Sequence, residues 1–259
     1  MHWRSRVCAI LVLAGVLVSL PATARAQDVT VAAAADLQAA LPALAARFEK
    51  ETGRTVRLTF GSSGNFFAQI QNGAPFDVFL SADIDYPRRL EKAALTAPGT
   101  LTPYATGRIV LWTRNDSGID VRRGVQALLA AGVRRIAIAN PRHAPYGRAA
   151  VAALRHEGVY DRVRGRFVLG ENISQAAQFV QSGNADVGII ALSSALGPAL
   201  KASGTYVEIP ASLHPPISQG AVVLKSARDI AAAKQFLAFL ARPESVRYLE
   251  AWGFEGPAR

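Results

Sequence analysis

Four short clusters of small and polar residues hold the groups that could handle a ligand. They are Ala34-Ala35-Asp36, Gly61-Ser62-Ser63-Gly64, Ala144-Pro145-Tyr146-Gly147 and Glu171-Asn172-Ile173-Ser174. Each follows an apolar, strand-like run and opens a helix-like one. A helix start exposes backbone N–H groups that have no intrahelical acceptor, together with the positive end of the macrodipole. Several such starts converging on one point would cage a small oxyanion without any cationic side chain.

Within the clusters, Ser62 and Ser63 offer hydroxyls, and the flanking glycines allow close backbone approach. Plain helix capping explains this loop as well as ligand binding does. It lacks the lysine of a phosphate-binding P-loop, and the chain has no Gly-x-Ser-x-Gly nucleophile elbow. Tyr146, at a helix start, can point its hydroxyl into a cleft as a single donor; a half-buried tyrosine at a lobe surface fits the residue equally. Asn172 reads as a ligand contact or simply as the cap of its helix. The N–H groups of Ile173 and its neighbours are what an anion would use. Asp36 is the awkward member, because a carboxylate facing a dianion in a dry cleft repels it strongly. It is therefore assigned to capping, with its backbone N–H facing the ligand.

Other chemistries lack their constellations. His143, His156 and His214 are far apart, without a His-x-x-x-His pair, and Cys8 is the one cysteine of the chain. Asp83-Ile84-Asp85 resembles the opening of a calcium loop but lacks its remainder, so it reads as a solvated turn. Ser-x-x-Lys is absent. A spatial Ser/His/Asp cluster would be needed to revive an exported enzyme acting on an anionic substrate.

Residues 1–26 read as an address. Arg4 and Arg6 precede the short apolar run Cys8 to Leu20, and Ala24-Arg25-Ala26 supplies a small-x-small cleavage pattern. The run is too short to span a membrane as a stop-transfer helix. Cleavage would remove Cys8 and leave a thiol-free exported chain in the periplasm. The formal charge is +10, from 29 basic and 19 acidic residues, and falls to about +7 when Arg4, Arg6 and Arg25 leave. Nucleic acid is not the expected partner, since the arginines are dispersed and lack interleaved aromatic platforms. A positive field would instead speed capture of small anions.

Strand and helix signals alternate along the rest of the chain, the pattern of an α/β fold with mostly parallel sheets. Strands are expected at Val29–Ala34, Val56–Phe60, Phe76–Ser81, Arg108–Thr113, Arg135–Ala139, Val187–Ala191, Tyr206–Ile209 and Ala221–Leu224. Helices are expected at Phe66–Asn72, Tyr86–Ala94, Val121–Ala131, Tyr146–Gly158, Ile173–Ser182, Ile230–Leu240 and Pro243–Trp252. A further helix runs through Lys50 to Gly53, its regular start delayed or kinked by Pro42. So many strands overfill one sheet. Two lobes with a cleft are expected: 27–105 with 217–259 as lobe I, and 106–216 as lobe II.

The ordered motifs resemble one family. Val29 through Asp83 (VTVAAAADLQAALPALAARFEKETGRTVRLTFGSSGNFFAQIQNGAPFDVFLSAD), Ile136 to Gly147 (IAIANPRHAPYG), Gly170 to Ile173 and Gln181 to Gly188 (QSGNADVG) are similar to the periplasmic molybdate-binding proteins of ABC importers. The resemblance implies a type II periplasmic binding fold of two α/β lobes, each with a mixed, mostly parallel sheet, closing over a tetrahedral oxyanion. It also implies a non-enzymatic monomer with no cofactor, which carries molybdate or tungstate to a membrane permease. Ser63 matches the ligand-contacting serine of the family and Ile173 a position giving a backbone N–H. Tyr146 stands where one branch uses a tyrosine; another branch places its tyrosine near Ile190, where this chain has Ala191. Asp36 replaces a serine or asparagine, a departure that bears on ligand identity rather than on fold or role. The implied oxyanion set is Asp36, Ser62, Ser63, Tyr146, Asn172 and Ile173. Sulfate or an organic acid on the same fold is the rival reading.

Overall fold

The computed structural model describes residues 28–257, so the reading of 1–26 as a leader lies outside the described residues. Ten strands are named: β1 Val29–Ala34, β2 Val56–Gly61, β3 Val78–Ser81, β4 Thr102–Gly107, β5 Ile109–Arg114, β6 Ile136–Ala139, β7 Phe167–Gly170, β8 Val187–Ala191, β9 Gly204–Glu208 and β10 Ile217–Val223. They form two five-stranded sheets of matching design, ordered β2-β1-β3-β10-β4 and β7-β6-β8-β5-β9. Three parallel strands open each sheet, and one antiparallel strand joins them to an antiparallel edge strand. Both sheets are thus mixed, with antiparallel pairing confined to β10 and β5. The chain passes from the first sheet to the second at Arg108 and returns between Glu208 and Ile217.

Side-chain alternation explains why helices cover both faces of the first sheet. Val29, Val31 and Ala33 pack with Leu41, Leu44, Phe48, Phe236 and Phe239, whereas Ala32 faces Phe66, Phe67 and Phe79. Phe48 meets Phe236 and Phe239 edge-on at centroid distances of 5.1 and 5.6 Å. The tail packs here too, since the Ile230–Leu240 and Pro243–Ala251 helices supply Phe236 and Leu249 to this core. The second core is built on β5, β6 and β8 and extends across the cleft to Ala34, Ala35, Ala82 and Ile217.

Most elements lie where residue periodicity puts them, and the departures have physical causes. Pro42 sits in the first turn of the Leu41–Thr52 helix, where its missing N–H is harmless; a 3₁₀ turn, Ala35–Leu37, fills the gap after β1. Val121–Ala131 is not one α-helix. It is a 3₁₀ segment, Val121–Leu129, broken at Gly124 with φ 60° and ψ −150°. β4 was not expected as a strand, and its Pro103 is tolerated because the strand lies at the sheet edge.

Candidate functional site

The parallel strands of both sheets end at one small cavity, the position where open α/β sheets bind ligands. Its lining comes from Ala34 to Asp36 after β1, Gly61 to Ser63 after β2, Ala82 after β3, Ala144 to Tyr146 after β6, and Asn172 and Ile173 after β7. All six residues expected from the sequence therefore border the same space. Three helices begin there: Ser63–Gln71, Pro145–His156 and Ile173–Gln181. The first-turn N–H groups of Ser63, Tyr146 and Ile173 have no intrahelical acceptor. Asp36 is the only lining residue with a charged side chain.

The side chains divide the work differently from expectation. Ser63 Oγ accepts the N–H of Ala82 at 2.9 Å, which leaves its own hydroxyl proton to donate. Ser62 stands at the N-cap of the Ser63–Gln71 helix but its side chain makes no capping hydrogen bond, so side-chain capping does not explain this loop; its hydroxyl donates across the cleft to the His143 carbonyl at 2.6 Å. The same carbonyl accepts from the Gly64 N–H at 2.9 Å, and His143 Nδ1 lies 3.0 Å from Ser62 Oγ. A side chain at position 64 would bring Cβ to 2.5 Å from that carbonyl, so glycine is required for the approach. Asn172 does cap, accepting the Gln175 N–H at 3.0 Å. Its side chain fixes the helix start that presents the Ile173 N–H.

The capping role assigned to Asp36 is corrected. Ala34 is the N-cap of the Ala35–Leu37 turn, and no side chain caps it. Asp36 Oδ2 instead accepts from the Tyr146 hydroxyl at 2.8 Å and from Gln219 Nε2. The single proton of Tyr146 is thus committed to Asp36 rather than offered to the cleft. All three residues are buried. Burial raises the Asp36 carboxyl to about 6, against the opposing hydrogen bonds of Gln219 and Tyr146. Burial, and then the neighbouring Asp36 charge, holds the Tyr146 and Tyr104 hydroxyls well above their ordinary value. Asp36 Oδ1 and Gln219 Oε1 are buried without a hydrogen-bond partner.

Gln219 is the residue at this cavity's edge that the sequence reading did not single out. The signal was a Ser-Gln-Gly break inside a strand otherwise buried on both faces. At that break the β10–β4 register shifts, a bulge of the kind that re-aims side chains beside binding sites. Two serines also tie the lobes together behind Asp36: Ser193 donates to the Asp36 carbonyl at 2.7 Å, and Ser174 to that of Ala35 at 2.8 Å. Among the described residues, no group of three or more His, Cys, Asp or Glu side chains could hold a metal ion.

Two mixed sheets whose strand ends meet at a small cavity between lobes define a solute-binding protein of the type II periplasmic class. The model of the bacterial extracellular solute-binding protein family matches residues 29–255, and the chain belongs to that family. It is 39% identical to the molybdate-binding protein ModA of Azotobacter vinelandii, across 91% of this chain and 92% of that one. It is 38% identical to the Rhodobacter capsulatus ModA, across 92% of each. The solved periplasmic molybdate-binding protein of Azotobacter vinelandii superposes with a TM-score of 0.83 at 37% identity, over 89% of this chain and all of that one.

Proposed function

We propose that the chain is a periplasmic solute-binding protein that captures molybdate, and tungstate with it, for delivery to an ABC-importer permease. The observation that carries this reading is the convergence of three helix starts and the Ser63 hydroxyl on one small cavity without a cationic side chain. Such donors hold a dianion through charge-assisted hydrogen bonds. Identity near 39% over most of both chains with molybdate-binding relatives supports the same ligand.

The donors assigned to the oxyanion are the Ser63 hydroxyl and the N–H groups of Asp36, Ser63, Tyr146 and Ile173. Asp36 also meets the ligand through its side chain. Ser62 and Asn172 serve indirectly, one by bridging to His143 and the other by fixing its helix. The lobes are taken as 27–105 with 217–259, and 106–216, although β4 carries the first sheet on to Gly107, and they turn about the connections at Arg108 and between Glu208 and Ile217. Closure buries the ligand, and the closed monomer is what the permease reads. The chain works as a carrier rather than an enzyme.

Calorimetric titration of the chain lacking residues 1–26 tests this with molybdate, tungstate, sulfate and phosphate in turn. Saturable binding of the first two, with sulfate and phosphate far weaker, is expected. Preference for sulfate or for an organic acid would transfer the site to the rival ligand.

A further inference from the structure

The Asp36 cluster is short of donors on one side. Oδ2 takes both side-chain hydrogen bonds of the carboxylate, from Tyr146 on the Pro145–His156 helix and Gln219 on β10, and the backbone N–H groups of Asp36 and Leu37 add a smaller opposition to burial. Oδ1, equally buried, takes none, and Asp36 borders the cavity assigned to the oxyanion. A buried ionised carboxylate oxygen without a donor is costly, and a dianion brought beside it compounds the cost by like-charge repulsion. One proton removes both problems. On Oδ1 it turns an unpaired acceptor into a donor facing the ligand and leaves Oδ2 to accept as before.

We infer that Asp36 Oδ1 binds one proton together with the oxyanion and donates it as a hydrogen bond to a ligand oxygen, so that capture is proton-linked. The proton comes from solvent, and no bond of the oxyanion breaks. The inference rests on the oxyanion-carrier reading above and makes Asp36 a determinant of pH dependence and of ligand charge.

The surroundings favour the acid form. No cationic side chain lines the cavity. The titratable groups facing Asp36 are Tyr146 and, from β4, Tyr104; both are buried and held neutral, with hydroxyls well above their ordinary range. His143, across the cleft, is engaged by Ser62 and lies 3.5 Å from Glu171. Burial already lifts the carboxyl to about 6, and an adjacent dianion lifts it further.

The test is calorimetry with molybdate between pH 7 and 9, repeated in buffers of different ionisation heat to count protons, on the wild type and on Asp36→Asn. Over this range the wild type is expected to take up close to one proton per ligand and to lose about tenfold affinity per pH unit. Asp36→Asn keeps an acceptor for Tyr146 and Gln219 and supplies a fixed N–H donor. It is expected to bind with nearly pH-independent affinity and no uptake. Proton uptake by the wild type is read without the variant, so a misfolded variant leaves the inference testable. Tight molybdate binding by the wild type with a flat pH profile and no uptake overturns the inference but leaves the carrier reading standing. A slope that persists in Asp36→Asn also overturns it, by moving the proton elsewhere. No molybdate binding at any pH would sink both.

Discussion

On the proposed reading, Ser63 and Asp36 divide the chemistry of the cavity between a fixed donor and a conditional one. Ser63 is oriented by the Ala82 N–H, which makes its hydroxyl an outward donor. Ser63→Ala is expected to weaken oxyanion binding by about 1.5–3 kcal/mol, roughly ten- to hundredfold, in a direct titration. Asp36 acts on stability as well. Its carboxyl is raised from 3.8 to about 6, so the ligand-free fold holds its proton more tightly than the unfolded chain. Stability therefore falls as pH rises from about 4 to 6, by about 3 kcal/mol in all at 1.36 kcal/mol per pKa unit, and stays lower above that. Asp36→Asn should remove this loss. Denaturant unfolding without ligand at pH 5 and pH 8 should show a fall in the wild type and little change in the variant. That Asp36 borders the cavity was legible from its place between a strand and a helix-like run. Its partners were not, because Tyr146 and Gln219 lie 110 and 183 positions away.

At the scale of elements, the first sheet depends on Asp77, which pins three segments. Its carboxylate accepts from the Thr30 N–H and hydroxyl, both at 2.7 Å, and from the Arg228 N–H at 2.9 Å and guanidinium at 3.1 Å. Burial pushes this carboxyl upward, but the hydrogen bonds prevail and hold it below its ordinary value. It should therefore stabilise the fold above the unfolded value near 3.8, an effect lost as pH falls lower. Asp77→Ala, by stranding Thr30 and Arg228, is expected to cost about 3 kcal/mol near neutral pH, measurable by urea unfolding. Strands β1, β3, β6 and β8 were legible because parallel strands covered on both faces are continuous apolar runs. Edge strand β4 was not, since Thr102-Pro103 and Gly107 dilute its pattern and its place is decided by pairing with β10. Gly107 is needed for another reason as well: a Cβ there would collide with the Tyr146 hydroxyl.

For the whole molecule, closure rests on hydrogen bonds that cross the cleft, from Ser62 to His143, Ser174 to Ala35, Ser193 to Asp36 and Tyr146 to Asp36. An ion pair, Arg148 with Asp83, also spans it at the half-exposed rim. Such a pair contributes at most about 1 kcal/mol. Arg148→Ala should thus reduce affinity less than about sixfold, mostly through faster release, whereas Ser63→Ala should act far more strongly in the same assay. The two-lobed division was legible from strand count, but the closing contacts were not, because each joins residues on different lobes and carries no local pattern. The three helix starts and the Ser63 hydroxyl are proposed to hold one oxyanion. The most direct test of this is a crystal structure of the chain grown with tungstate, read by anomalous scattering. One strong tungsten peak in the cavity is expected, with ligand oxygens within hydrogen-bond distance of Ser63 Oγ, the Ile173 N–H and Asp36 Oδ1. A peak elsewhere, or none at saturating tungstate, would contradict the account.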